Sequence, residues 1–365
     1  MRLLLLFLLV LAGSSAFAQT PADSARATPP IRPDKPSFIP LPGLFYSPET
    51  RLGVALFVAP VFRLDPDTTT RKSPTRILAY YTQEKQWSIQ LTHSLFTKGE
   101  RYALVGDWRF YDYPIFYYGV GDRTREEDET LLQYRLITFS ERILRRVGRQ
   151  RFFAGPQYIL TSLWDIQADS ASKLRERPPK ELRGGVVSGL GPVLLLDTRD
   201  RLTFPTGGSY AELSATFTGV GGDYAFTRYT ADLRRYFGLD TRGRQVLAVQ
   251  VYGQFHTGAV PFRELAPLGG IQLLRGYYEG RYRDRQLVAV QAEYRAPLWR
   301  RLGFVTFIGV GDVADKVSEF DRALVAGGAG LRFTFNRRER LNVRADYGVG
   351  LGGSGGFYFS IGEAF

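Results

Sequence analysis

The sequence predicts an all-β protein, a transmembrane antiparallel β-barrel of about 16 strands. Three observations predict it. The chain opens with an export leader, it has no later apolar run near the roughly 20 residues that a membrane helix needs, and it then repeats 8- to 15-residue segments of period-two alternation divided by turns.

Residues 1–18 read as a signal peptide. Arg2 supplies the charged start, Leu3 to Leu11 the apolar core, and Ala16-Phe17-Ala18 the small-residue cleavage pattern. Residues 19–37 hold Pro21, Pro29, Pro30, Pro33 and Pro36 among small polar residues, the composition of an extended linker. Residues 38–365 form the barrel. Strand starts are expected near Phe38, Arg51, Thr75, Gln86, Arg101, Leu131, Arg151, Val186, Ser209, Tyr224, Arg244, Arg285, Leu302, Ala323, Leu341 and Gly356. The three longest connectors, from Tyr111, Asp165 and Thr257, each follow an odd-numbered strand. With both termini periplasmic all three are extracellular, as outer-membrane barrels prefer. Asp65 to Pro74 is a moderately long exception on the other side. Trp87, Trp108, Trp164 and Trp299, near strand ends, suit interfacial girdles.

The faces of the strands separate a membrane barrel from a soluble sandwich. Leu247, Val249, Val251 and Phe255 oppose Gln250, Gln254 and His256; Val288, Val290, Ala292 and Tyr294 oppose Gln291, Glu293 and Arg295; Leu341, Val343, Ala345 and Tyr347 oppose Asn342, Arg344 and Asp346. Charges inside strands are costly against a dry core and are expected here to face a water-filled lumen. The 365 residues include 14% aromatics, 39 glycines and no cysteine, which excludes disulfides and thiolate metal sites. Without Arg2, 47 basic residues face 36 acidic ones. For an exported chain this points to outer-membrane lipid or a basic lumen, not to nucleic acid.

Gly269-Gly270-Ile271-Gln272-Leu273-Leu274-Arg275-Gly276-Tyr277-Tyr278 stands apart from this alternation. Its glycines permit turns closed to other residues, and Arg275 offers a planar fork to a carboxylate. The stretch reads as a loop before strand twelve, folded into the barrel with Arg275 as its anchor. At the chain's end, Phe357, Phe359, Ile361 and Phe365 share one face. This resembles the terminal strand signal of outer-membrane barrels, and Glu363 breaks it. A chain ending in a strand is expected to close the barrel by pairing its last strand with its first.

Leu274-Arg275-Gly276-Tyr277, the hairpin Asp197-Thr198-Arg199-Asp200 with Phe204-Pro205-Thr206-Gly207-Gly208, and Glu293-Tyr294-Arg295 with Pro297-Leu298 together resemble motifs of the BamA/TamA superfamily, the bacterial surface antigen barrels of Gram-negative outer membranes. The resemblance implies a barrel that assists insertion or translocation of outer-membrane proteins, with unfolded outer-membrane protein clients or a periplasmic partner. It also implies that Arg275 pairs with acids on strands twelve and thirteen. Glu293 matches the first; Gly309 stands where the second belongs, and Asp312 has the wrong parity. The family's periplasmic POTRA modules have no counterpart in the short linker.

An enzymatic role is not expected. His93 and Ser94 are adjacent and point to opposite faces of a strand, two separated histidines make no metal site, and Asp197 and Asp200 read as a hairpin held by its own ion pairs. No cofactor is implied. The mechanism the resemblance implies has the first and last strands meeting at a weak seam, with Gly348, Gly350, Gly352, Gly353, Gly355 and Gly356 loosening the end of the sheet. The competing readings are a passive pore with a basic lumen, in which the loop is a constriction, and a structural or surface barrel without transport.

Overall fold

The computed structural model describes residues 36, 38, 40–47, 51–148, 150–168, 182–241, 243–337 and 339–365. The expected signal peptide and nearly all of the linker lie outside them. Wherever the alternation runs, the chain forms strands: β1 (Pro40–Ser47), β2 (Arg51–Val58), β3 (Ser73–Thr82), β4 (Trp87–Phe96), β5 (Tyr102–Tyr117), β6 (Thr130–Arg146), β7 (Phe152–Ala168), β8 (Gly185–Asp197), β9 (Gly208–Thr218), β10 (Phe226–Gly238), β11 (Val246–Gly258), β12 (Gln286–Trp299), β13 (Leu302–Ala314), β14 (Leu324–Asn336), β15 (Leu341–Gly350) and β16 (Gly355–Ile361). Each start lies within two residues of its expected position. Val61–Phe62 adds a two-residue strand against Ser73 and Pro74.

Each strand pairs antiparallel with the next, from β1 through to β16. The expected closure is absent. Among the described residues β1 and β16 share no ladder, so the sheet is open at one seam. Two local features account for this. β1 carries Pro40 and Pro42, which lack N–H donors and suit an edge strand. After β16, Gly362 adopts φ +87° and turns the chain away from the strand direction.

The curled sheet is inside-out relative to a soluble protein. Ile308 and Leu213 are 62% and 50% exposed in mid-strand, while Gln250, Gln291, Glu293, Arg295, Arg344 and Asp346 are buried. Apolar residues outward and polar residues inward is the alternation of a sheet whose outer face meets lipid. The loop between β11 and β12 fills much of the interior. Its base is a small ladder, Ala266–Leu268 against Tyr282–Asp284. Phe262 packs edge-to-face against Tyr117 and Tyr134 of β5 and β6. Leu268, Leu274 and Tyr277 instead pack with Leu287, Val313, Leu324 and Ala326 on β12–β14. The loop therefore touches both walls. Two interior cavities, of about 460 and 340 Å3, are rich in arginine, including Arg109, Arg228 and Arg263 in the larger.

Ile308→Arg on the outward face of β13 is expected to destabilise the barrel by roughly 2–4 kcal/mol, the cost of a lipid-facing charge near mid-membrane. Urea unfolding in lipid vesicles measures it; a soluble sheet would tolerate the change.

Candidate functional site

The loop's turn is built on positive-φ residues: Gly269 (+105°), Gly270 (+94°), Leu274 (+54°) and Gly276 (+129°). A Cβ on Gly269 would meet the Tyr278 carbonyl oxygen at 2.2 Å, so only glycine fits there. The Gly270 N–H donates to the Tyr277 carbonyl at 2.9 Å, closing the turn around Arg275.

Arg275 is where the sequence placed it, and the structure supplies its missing partner. The guanidinium pairs with Glu293 of β12 through Nη2 and with Asp346 of β15 through Nη1, and stacks 3.7 Å from the centre of the Phe307 ring. The second acid comes from β15, not from strand thirteen. At Gly309 of β13 a Cβ would meet Leu274 Cδ1 at 2.8 Å, so the loop's own leucine occupies the space a side chain would need.

Around this pair lies a ring of charge. Arg295 Nε donates to Glu293 at 2.9 Å, Arg332 Nε donates to Glu363 at 2.8 Å, and Arg332 Nη1 donates to Asp346. Arg295 lies 3.8 Å from Glu363, and Arg344 lies 3.6 Å from Asp346 while donating to the Ile271 carbonyl at 2.8 Å. The side chains of Arg275, Glu293 and Asp346 are completely inaccessible. This corrects the expectation of a water-filled lumen at these charges. The cost of drying them is offset by mutual pairing, and such a cluster tolerates poorly the loss of one member.

The arginine's neighbours fasten the loop to the last hairpin. Tyr358 Oη of β16 accepts the Gly276 N–H and donates to the Tyr277 carbonyl, both at 2.9 Å. Ser354 Oγ donates to the Gly276 carbonyl at 2.7 Å. Tyr277 Oη donates to the Val325 carbonyl and accepts the Leu351 N–H, again both at 2.9 Å. Gly348 and Gly350 line the groove beneath. A Cβ at Gly348 would meet the Arg275 carbonyl at 2.7 Å, and one at Gly350 the Tyr277 ring at 2.6 Å. These two glycines do not loosen the sheet; they admit the loop. Gly352 and Gly353 serve the β15–β16 turn at φ +73° and +83°.

The remaining motifs divide. In the β8–β9 hairpin Arg199 grips Asp197 through Nε at 2.8 Å and Nη2 at 2.9 Å, and Arg71 reaches Asp197 at 2.8 Å. Asp200 accepts the Thr206 and Gly207 N–H groups at 2.8 and 3.2 Å, and Pro205 is buried. The sterically required glycine is Gly208, φ +95°, where a Cβ would meet the Thr198 carbonyl at 2.3 Å; at Gly207 it would meet nothing. Of the terminal signal, Phe357 and Phe359 face outward on β16, with Ile361 ending the strand. Phe365 leaves that face. It is buried with Tyr236, Val246 and Ala248, beneath Arg295. Glu363 does not spoil an apolar face, because past Gly362 it points into the charge ring.

His93 pairs with Glu141 at 3.2 Å beside Trp108, and His256 Nδ1 contacts the Arg285 carbonyl at 2.6 Å. Among the described residues no group of three or more His, Asp or Glu side chains could hold a metal ion. Asp346, Arg332 and Tyr358 were legible only as inward positions: Tyr358 alternates with Phe357 and Phe359, and Asp346 with Ala345 and Tyr347.

Residues 187–365 match the Omp85 superfamily domain. Among solved structures, the chain is similar to BamA from Haemophilus ducreyi lacking POTRA domains 1–3, at 14% identity and TM-score 0.56, over 90% of this chain and 70% of that one. It is also similar to CdiB from Acinetobacter baumannii, at 15% identity and TM-score 0.58, over 90% of this chain and 60% of that one. At such identities the likeness is one of fold. No curated protein sequence matches. The described residues include no POTRA-like module.

Arg275→Ala leaves Glu293 and Asp346 buried without their shared cation and is expected to cost roughly 3–5 kcal/mol, read as a lowered urea midpoint in vesicles. Tyr358→Phe keeps the ring and removes two hydrogen bonds, an expected loss of about 1–3 kcal/mol. Its signature is local: faster amide exchange at Gly276, with the β5–β7 ladders unchanged.

Proposed function

We propose, for a chain that carries an Omp85 superfamily domain, that its barrel assists the insertion or translocation of proteins at the outer membrane. The observation that carries this reading is the coupling between the interior loop and the open seam. Arg275, Gly276 and Tyr277 are bound to β15 and β16, and β16 is itself one edge of the unpaired seam.

A strand edge without a partner offers a row of backbone donors and acceptors. An incoming strand can satisfy them by adding to the sheet. In this mechanism β1 and β16 present that edge, and the adjacent bilayer is where a client strand would meet it. The loop holds β16 from inside through Tyr358 and Ser354, so the last hairpin keeps its place while its outer edge stays free. The mechanism is positional and needs no catalytic side chain; the protein is accordingly proposed not to be an enzyme. The expected orientation puts the short turns in the periplasm, where clients or a periplasmic partner would arrive.

A passive pore is the weaker reading. The loop packs against both walls of the barrel, and the charges that would line a channel beneath Arg275 are dry and paired.

The test is folding of an unrelated small barrel into liposomes with and without the purified protein. Faster folding that Arg275→Ala and Tyr358→Phe both reduce, while each variant remains folded by heat-modifiable gel mobility, supports the proposal. No acceleration by the folded protein contradicts it, and steady ion conductance in planar bilayers would favour the pore.

A further inference from the structure

Antiparallel pairing puts every turn after an even-numbered strand at the same end of the barrel, and the charge of the chain is concentrated there. The described residues of connectors 59–72, 97–101, 147–151, 198–207, 239–245, 300–301 and 337–340 hold thirteen Lys and Arg against six Asp and Glu. At the opposite end, leaving aside the loop folded into the interior, the described residues of connectors 83–86, 118–129, 182–184, 219–225, 315–323 and 351–354 hold six against ten. The positive charge belongs to one rim.

That rim has a focus. The β12–β13 turn, the β14–β15 turn and the β10–β11 turn enclose a cavity of about 260 Å3 whose lining includes Arg300, Arg301, Arg337 and Arg340 and no acidic residue. Among the described residues none of these four forms an ion pair with a carboxylate. Arg295 also lines the cavity, is 2% exposed, and leaves its Nη1 without a hydrogen-bond partner. Partial burial and the neighbouring Arg201 hold the Arg340 guanidinium below its ordinary pKa, with Asp200 opposing them more weakly. Crowded cations with so few counter-charges are unfavourable unless an anion joins them. Two of them sit in strained backbone as well. Arg300 and Arg340 have φ +46° and +47°, a region that glycine and asparagine occupy most readily in tight turns.

The apolar neighbours identify the kind of anion. Leu298 and Trp299 immediately precede the arginine pair, are 60% and 62% exposed, and Arg300 lies 4.8 Å over the Trp299 ring. Leu239 and Val147 project from two further turns at the same end. Arginines interleaved with exposed Trp and Leu at the end of an apolar band are the chemistry of a membrane interface, where guanidinium forks meet phosphate oxygens. A soluble anion would have no use for the apolar part.

We infer that the short-turn rim binds the phosphate groups of anionic phospholipids, with its principal site between the β12–β13 and β14–β15 turns. This fixes the rim in the headgroup layer by charge as well as by its aromatic residue. It is independent of whether the seam accepts client strands.

The experiment is lipid retention by the full-length protein in a neutral detergent, read by native mass spectrometry against equimolar phosphatidylglycerol and phosphatidylcholine. The expected result is several-fold more phosphatidylglycerol bound. That preference should fall to near parity in the quadruple variant Arg300→Gln, Arg301→Gln, Arg337→Gln and Arg340→Gln, and persist when the same four positions are lysine. Arg123→Gln with Arg125→Gln, at the opposite end, should leave it intact, and heat-modifiable mobility verifies folding of each variant. Equal retention of the two lipids by the unaltered protein overturns the inference and leaves an acidic polypeptide as the ligand of the arginines. A preference unaffected by the quadruple glutamine variant overturns the assigned site. Abolition of the preference by millimolar inorganic phosphate would show a free-anion site instead.

Discussion

The interior of this barrel depends on one completely buried guanidinium shared by two completely buried carboxylates. Arg275 is donated by a loop, Glu293 by β12 and Asp346 by β15, so a single buried contact joins three segments distant in sequence. Removing three charged groups from water is unfavourable, and their attraction alone does not ensure a gain. What such a pair provides is position. The loop has one register in which its fork meets both acids, and any other leaves charge unpaired in a dry space. Arg295, Arg332 and Glu363 extend the arrangement to β14 and the tail, so five segments are tied to the same cluster.

From that anchor follows the form of the seam. Gly348 and Gly350 let the loop backbone lie directly on β15, and Tyr358 and Ser354 hold it to β16 and the turn before it. The last hairpin is thus braced from inside while, among the described residues, its outer edge has no ladder to β1. Prolines at 40 and 42 weaken the facing edge, and Gly362 directs the tail into the lumen. An interior brace and an unpaired edge are complementary: the sheet can stay open at one place because the strand beside the opening is held elsewhere.

Much of this was legible in the sequence, and the rest was hidden for physical reasons. Strand number and starts followed from period-two alternation, which a membrane sheet must display because each face has its own solvent. Arg275 was conspicuous as a lone charge among glycines and apolar residues, and Glu293 fell on the inward parity. Asp346 shared that parity, yet parity gives the face of a strand and not which residues meet across a lumen. The expectation of closure failed because it treated a terminal strand as continuing to the last residue, whereas one left-handed glycine redirects Glu363, Ala364 and Phe365. That Gly348 and Gly350 admit the loop instead of loosening the sheet was hidden for a similar reason. Glycine in a strand signals either weakness or close approach, and only the position of the loop decides between them.

The brace between the loop and the last hairpin requires Arg275 and Asp346 to act as one unit across 71 residues of sequence. A double-mutant cycle measures that directly: urea unfolding in lipid vesicles for the unaltered protein, Arg275→Met, Asp346→Asn and the combined variant. The structure predicts that the combined variant is more stable than the sum of the single losses implies, by about 1–3 kcal/mol, as expected for residues in one ion-pair network. Losses that simply add, within about 0.5 kcal/mol, would mean the two side chains do not depend on each other, and the brace between the loop and the last hairpin would have to be abandoned.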